Sequence, residues 1–193
     1  MTDNAKTTLQ HYLQTGRDTL LWKLEDLSEY DRRRPLTPTG TNLLGLVKHV
    51  AFTEAEYFSV VFGRPHPQAL PWIYDETDPD AEMWATPEET TEFITGTYRS
   101  IWDHSDTVIT ELDLDTPGRV PWWRPETADV TLHRILIHMI AETHRHAGHA
   151  DILRESIDGA TGLYQHNSNL PPGDRQYWTD HRTRLEAAAA HFR

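Results

Sequence analysis

The chain contains no cysteine among its 193 residues. That excludes disulfides, cysteine-ligated zinc and a protein thiol nucleophile. It is also short of positive charge, with 18 Lys and Arg against 30 Asp and Glu and a formal net charge of −12. A nucleic-acid-binding face needs a surplus of basic side chains, so that class is set aside. The one basic run, Arg32-Arg33-Arg34, is short, is followed by Pro35, and reads as a solvated corner. No apolar run approaches the roughly 18 residues that span a bilayer. The start, Met1 to Lys6, is polar and lacks an apolar signal core, so a cytoplasmic protein with no membrane partner is the expectation. Useful β-alternation, internal repeats and low-complexity tracts are missing as well.

What is present is helical periodicity. Leu9, Leu13, Gly16, Leu20, Leu24 and Leu27 step by three or four and form one apolar stripe, which Pro35 and Pro38 break. A second helix is expected from about Asn42 to Val61, with Thr41 as its N-cap. Residues 63–86 form a long connection with four prolines and the aromatics Trp72, Tyr74 and Trp84. Thr86-Pro87-Glu88-Glu89 has the spacing of a capping box, so a third helix is expected to start there, with Phe93, Thr97, Ile101, Val108 and Leu112 inward. A second long loop, 113–128, contains Trp122 and Trp123. A fourth helix runs from near Asp129 to about Ser156, closed by Gly159 and Gly162. Pro171-Pro172-Gly173-Asp174 introduces a last helix. The chain is long enough to remove about two-thirds of its unfolded surface from water. The expectation is therefore a single all-α domain over 1–193, a four-helix bundle with long inter-helix loops and an extra C-terminal helix.

Chemistry concentrates in the fourth helix, in Glu142-Thr-His-Arg-His146-Ala-Gly-His149. Residues four apart share a helix face, so Glu142 and His146 can reach one metal ion together. His146 and His149 form a second possible pair. Glu142 and His149 are about 10 Å apart along the axis at 1.5 Å rise per residue, too far for one ion. The best third ligand is His49, in the apolar run Leu43 to Phe52, on the face shared by Leu46 and Thr53. The bland reading has weight here. A lone histidine on an apolar face is more often a hydrogen-bonded core residue, and twelve histidines form clusters by chance. A carboxylate inside an apolar helix, however, is costly to bury unless it is paired or metal-bound.

A histidine mid-way along helix two, Glu-x-x-x-His late in helix four, and then Gly148-His-Ala-Asp-Ile-Leu-Arg-Glu155 together resemble the DinB/YfiT-like superfamily over nearly the whole chain. The segment His138 to Glu155 is most similar to an actinobacterial branch of unknown function. The resemblance implies a four-helix bundle with a metal on three side chains, which map to His49, Glu142 and His146. Many members carry His where this chain has Glu142. The mycothiol-dependent maleylpyruvate isomerase type carries Glu, and this chain is nearer to it, although that type has a second, C-terminal domain for which this chain is too short. His144 and His149 crowd the motif, so the ligand set stays open by one residue.

Members with known chemistry use low-molecular-weight thiols such as mycothiol or bacillithiol. The resemblance thus implies a metal-dependent thiol S-transferase acting on a small electrophile, with Zn²⁺ or Ni²⁺ and mycothiol as cosubstrate. Arg145, His149, Trp72, Trp122 and Trp123 are expected to face the substrate, with the ion near one end of the bundle. A homodimer is left open. The alternative is a non-catalytic metal-binding sensor or scaffold. An iron oxygenase with two histidines and a carboxylate has the right ligand types but ranks last, because such enzymes usually use a β-sandwich.

Overall fold

The computed structural model describes residues 4–68 and 78–193. In chain order the elements are α1 (Ala5–Trp22), α2 (Glu29–Arg33), α3 (Leu43–Ser59), a 3₁₀ turn at Ala81–Met83, α4 (Thr91–Glu111), β1 (Pro117–Arg119), β2 (Asp129–Thr131), α5 (Leu132–Asp158) and α6 (Arg175–Ala190). Among the described residues the protein is all-α apart from one two-stranded ladder, and the four long helices α1, α3, α4 and α5 make the bundle. Helix α1 packs on α5, and α3 packs on both α4 and α5.

Side-chain caps set the helix starts. Asn4, Ser28, Asn42, Thr90, Thr131 and Asp174 each accept a backbone N–H of the first turn. Two starts differ from the sequence expectation by one to three residues: Asn42 rather than Thr41 caps α3, and α5 begins at Leu132 because 129–131 pair with 117–119 as a short antiparallel strand. A third differs more. The Thr86 amide does bond Glu89 Oε2 at 2.8 Å, as a capping box requires. The helix nevertheless begins only at Thr91, because the carbonyls of Thr86 and Glu89 are taken by the Arg33 guanidinium and Glu89 Oε2 also accepts from Lys48. Phe93 is consequently exposed, and the buried stripe of α4 is Ile94, Tyr98, Ile101, Ser105, Val108 and Ile109.

The basic run is likewise not a solvated corner. Arg32 holds Glu29 and the Leu24 carbonyl, Arg33 ties α2 to the start of α4, and Arg34 pairs with Asp31. At the other end of the chain, Gly159 closes α5 at φ 80, a left-handed position that favours glycine.

The core falls into two apolar clusters. One gathers Leu20, Leu43, Leu46, Val50, Ile94, Ile101 and Leu153; the other gathers Leu13, Phe58, Ile109, Leu132, Leu136 and Met139. Between them each bundle helix supplies buried polar side chains, among them Arg17, Glu54, Ser105 and Thr143. Arg17 forks onto Glu54 and reaches Asp106, joining α1, α3 and α4. No helix of the described residues is long and apolar enough to cross a membrane.

Candidate metal centre

Helices α3 and α5 cross so that His49 faces Glu142 and His146. One ligand atom from each lies within 4.8 Å of the others. His146 Nε2 is 2.8 Å from Glu142 Oε1, and His49 Nε2 is 3.6 Å from the same oxygen. The two imidazole rings meet edge to face, with centroids 4.7 Å apart. His146 is buried, and His49 and Glu142 are partly so. The group lies beside the middle of α5 rather than at an end of the bundle, because both α5 donors belong to the central turns of that long helix.

Electrostatics favour the ligand forms of two donors. Burial alone would raise the Glu142 carboxyl, but hydrogen bonds and charge from His146 and His49 outweigh it, and the pKa is lowered. Burial lowers the His146 imidazole, helped by nearby His49 and His149 and opposed by Glu142. His49 goes the other way. Burial pulls it down, but Glu82 and Glu142 outweigh this and raise it. An ionised carboxylate and a neutral imidazole are the states a divalent cation needs.

A family model described as mycothiol-S-transferase matches residues 8–159. The chain belongs to the mycothiol-S-transferase family. The family lies within the DinB/YfiT-like superfamily. Its matched region takes in α1 from its second turn, all of α3, α4 and α5, and ends at the cap of α5, leaving α6 outside. No curated protein matches the chain.

The remaining sequence candidates occupy distinct places around this family's bundle. His144 turns to α1, where its Nε2 meets the Tyr12 carbonyl at 3.0 Å, so it does not join the three donors. His149 is exposed, with its ring 5.3 Å from that of His146. Arg145 is exposed and reaches within 3.9 Å of Glu142 Oε2. Trp123 is partly buried and donates Nε1–H to the Tyr57 hydroxyl at 2.9 Å, and its ring contacts His138. Trp122 is exposed and touches Tyr57 edge to face. Trp84 is exposed and hydrogen-bonds Asp78. Trp72 and Tyr74 lie outside the described residues.

Three residues near the site were not singled out from sequence. His138 precedes Glu142 by one helical turn, and Tyr57 follows His49 by two, so helical spacing could have flagged both. Their rings are 4.8 Å apart, and with Trp123 they form an aromatic cluster one to two helical turns from the donors. Glu82 is the third. Its Oε1 lies 3.2 Å from His49 Nδ1, close but poorly aligned for a hydrogen bond. It comes from the irregular segment before α4, where no periodicity points to it.

Proposed function

We propose that this chain is a metal-dependent S-transferase that joins mycothiol, or a thiol like it, to a small electrophile. The observation that carries this reading is the convergence of His49, Glu142 and His146 from two helices onto one point in a chain of this family. Two imidazoles and one carboxylate suit Zn²⁺ or Ni²⁺ and leave coordination positions open. Nε2 of both histidines faces the same Glu142 oxygen, at 2.8 Å from His146 and 3.6 Å from His49, so these are the nitrogens that would hold the ion, in place of a proton. When bound, the ion lowers the pKa of a thiol it holds, making the thiolate the reacting form.

The chain's own residues bind and orient. Glu142, between the two imidazoles, offsets the ion's charge and ties the two helices together. Tyr57, His138 and Trp123 form an apolar wall with a few fixed polar atoms, the usual make-up of a small-molecule site. Trp122 extends that wall, and Arg145 and His149 flank the α5 side as hydrogen-bond donors to the polar part of the thiol or to a leaving group. Trp72, ten residues before Glu82 in the sequence, is assigned to the substrate side on sequence alone. With no cysteine in the chain, the nucleophilic sulfur comes from the cosubstrate. The new bond is sulfur to carbon, the electrophile's leaving group takes the bonding electron pair, and the thiol proton passes to solvent. One domain over 1–193, working in the cytoplasm, is the setting we assign.

The test is conjugation of monochlorobimane by mycothiol, followed by fluorescence, with protein loaded with Zn²⁺ or Ni²⁺ and again after chelation. A rate that depends on the metal and falls to the uncatalysed level on chelation is expected. Metal binding without thiol consumption would instead favour a sensor or scaffold.

A further inference from the structure

His49 stands between two carboxylates. Glu142 Oε1 lies 3.6 Å from Nε2, and Glu82 Oε1 lies 3.2 Å from Nδ1, on the opposite edge of the ring. We propose that Glu82 is the positioning residue of the metal centre: with the ion bound, its carboxylate turns to accept Nδ1–H of His49, fixing the tautomer and tilt that keep Nε2 toward the ion. This rests on the metal-centre reading above. A neutral imidazole coordinates through Nε2 only when its proton is on Nδ1, and a carboxylate at Nδ1 selects that state. Neither Nδ1 makes a well-aligned hydrogen bond, but His49 has a carboxylate oxygen 3.2 Å from that atom, whereas the carboxylate contact of His146 is at Nε2. Of the two histidines, His49 is therefore the one whose orientation is set from outside the donor group.

The segment that brings Glu82 is held for the purpose. The 3₁₀ turn at Ala81–Met83 lies across the first turns of α3. Asn42 caps α3 through Oδ1, bonded by the Gly45 amide at 2.7 Å, and its Nδ2 donates to the Met83 carbonyl at 3.3 Å. Lys48, buried, donates to the Trp84 carbonyl at 3.0 Å and to Glu89 at 2.8 Å. Gly45 permits the approach, because a Cβ there would collide with the Met83 carbonyl. Thus the backbone on both sides of Glu82 is pinned to the helix that carries His49. Glu82 Oε2 is buried with no partner. Leaving a carboxylate oxygen unsatisfied is costly, and such groups concentrate where they serve a site. Glu82 faces the Nδ1 side of the ring, so it is a support and not a fourth ligand.

Zinc affinity of the full chain, measured by competition with a chromophoric chelator, tests the proposal in wild type, E82A, E82Q, E82D, G45A and H49A. E82A is expected to keep one binding site and lose about 10- to 100-fold in affinity. E82Q, whose amide oxygen still accepts the proton, recovers most of that loss. G45A weakens binding without altering any polar group. In long-range proton–nitrogen NMR spectra of the zinc-loaded protein, the Nδ1–H signal of His49 is expected in wild type and E82Q and lost to solvent exchange in E82A, a change that mere loop loosening would not reverse on restoring an amide. If wild type binds one zinc, H49A loses it, and E82A binds as tightly as wild type, Glu82 has no such role and the metal centre stands. If wild type binds no zinc, both readings fall. Should E82A fail to fold, E82D decides: retracting the carboxylate by one methylene should weaken binding several-fold, and unchanged affinity overturns the proposal.

Discussion

His146 and Glu142 differ from the other polar residues of α5 in having nowhere else to go. The neighbouring His144 is satisfied by the Tyr12 carbonyl, and Thr143 is buried against α1, where Gly16 lets the two helices approach. Glu142 Oε1 meets the His146 and His49 imidazoles, and exposed Arg145 comes no nearer than 3.9 Å to its other oxygen. H49A, E142A and H146A should each remove most bound metal, while H11A should not; elemental analysis after dialysis measures this, and full occupancy in H146A would contradict the ligand set. A different buried pair supports the fold. Arg17 and Glu54 are almost completely inaccessible, so E54A would strand a guanidinium in the core and should cost about 3–5 kcal/mol, read as a lower midpoint in urea with an unchanged slope. At this scale the helical part of the site was legible, because a spacing of four residues fixes a shared face before any tertiary contact is known. Glu82 was not, because its position comes from contacts of Met83 and Trp84 with α3 that no local pattern encodes. Arg33 was misread for a related reason: besides Glu29, its partners are distant backbone carbonyls, which have no signature in a sequence.

Among the elements, the end of α1 and the end of α5 hold each other through one side chain. Arg154 on α5 donates to the Lys23 and Glu25 carbonyls just past α1 and grips Asp158 with both ends of its fork. Those bonds hold the Asp158 carboxyl below the usual aspartate range. Its folded pKa is therefore below its unfolded value of about 3.9. The resulting stability is present above that value and is lost as pH falls through the lower, folded one. The Tm gap between wild type and D158N should stay constant from neutral pH to about 5 and close as the pH drops below about 3.9; a gap independent of pH down to 2.5 would contradict the pairing. Asp158 is over a third exposed, so the gap itself should be small. Element boundaries were legible where a single residue decides them, as with Asp174 and Gly159. The start of α4 was not, since Thr86 and Glu89 do form half of a capping box and a distant arginine then takes the carbonyls that helical amides would have used.

For the whole molecule, the four amphipathic stripes were enough to give the architecture, because apolar faces of that width are stable only against one another. The short ladder between 117–119 and 129–131 was not foreseen; three residues are too few for alternation to be read. Circular dichroism should show a predominantly helical spectrum with little strand, and a strand-dominated spectrum would overturn the bundle. Metal should raise Tm in proportion to the logarithm of its concentration, by about 2.7 kcal/mol of added stability at a hundred times Kd, with no such shift in E142A. On the proposed function, an ion held by His49, Glu142 and His146 would take the sulfur of an external thiol. X-ray absorption at the zinc edge tests it most directly, because the protein has no cysteine of its own to supply a sulfur ligand. Before addition of mycothiol the first shell should contain only nitrogen and oxygen scatterers at about 2.0–2.2 Å; after addition one sulfur should appear at about 2.3 Å. A first shell that stays free of sulfur under saturating thiol would contradict the account.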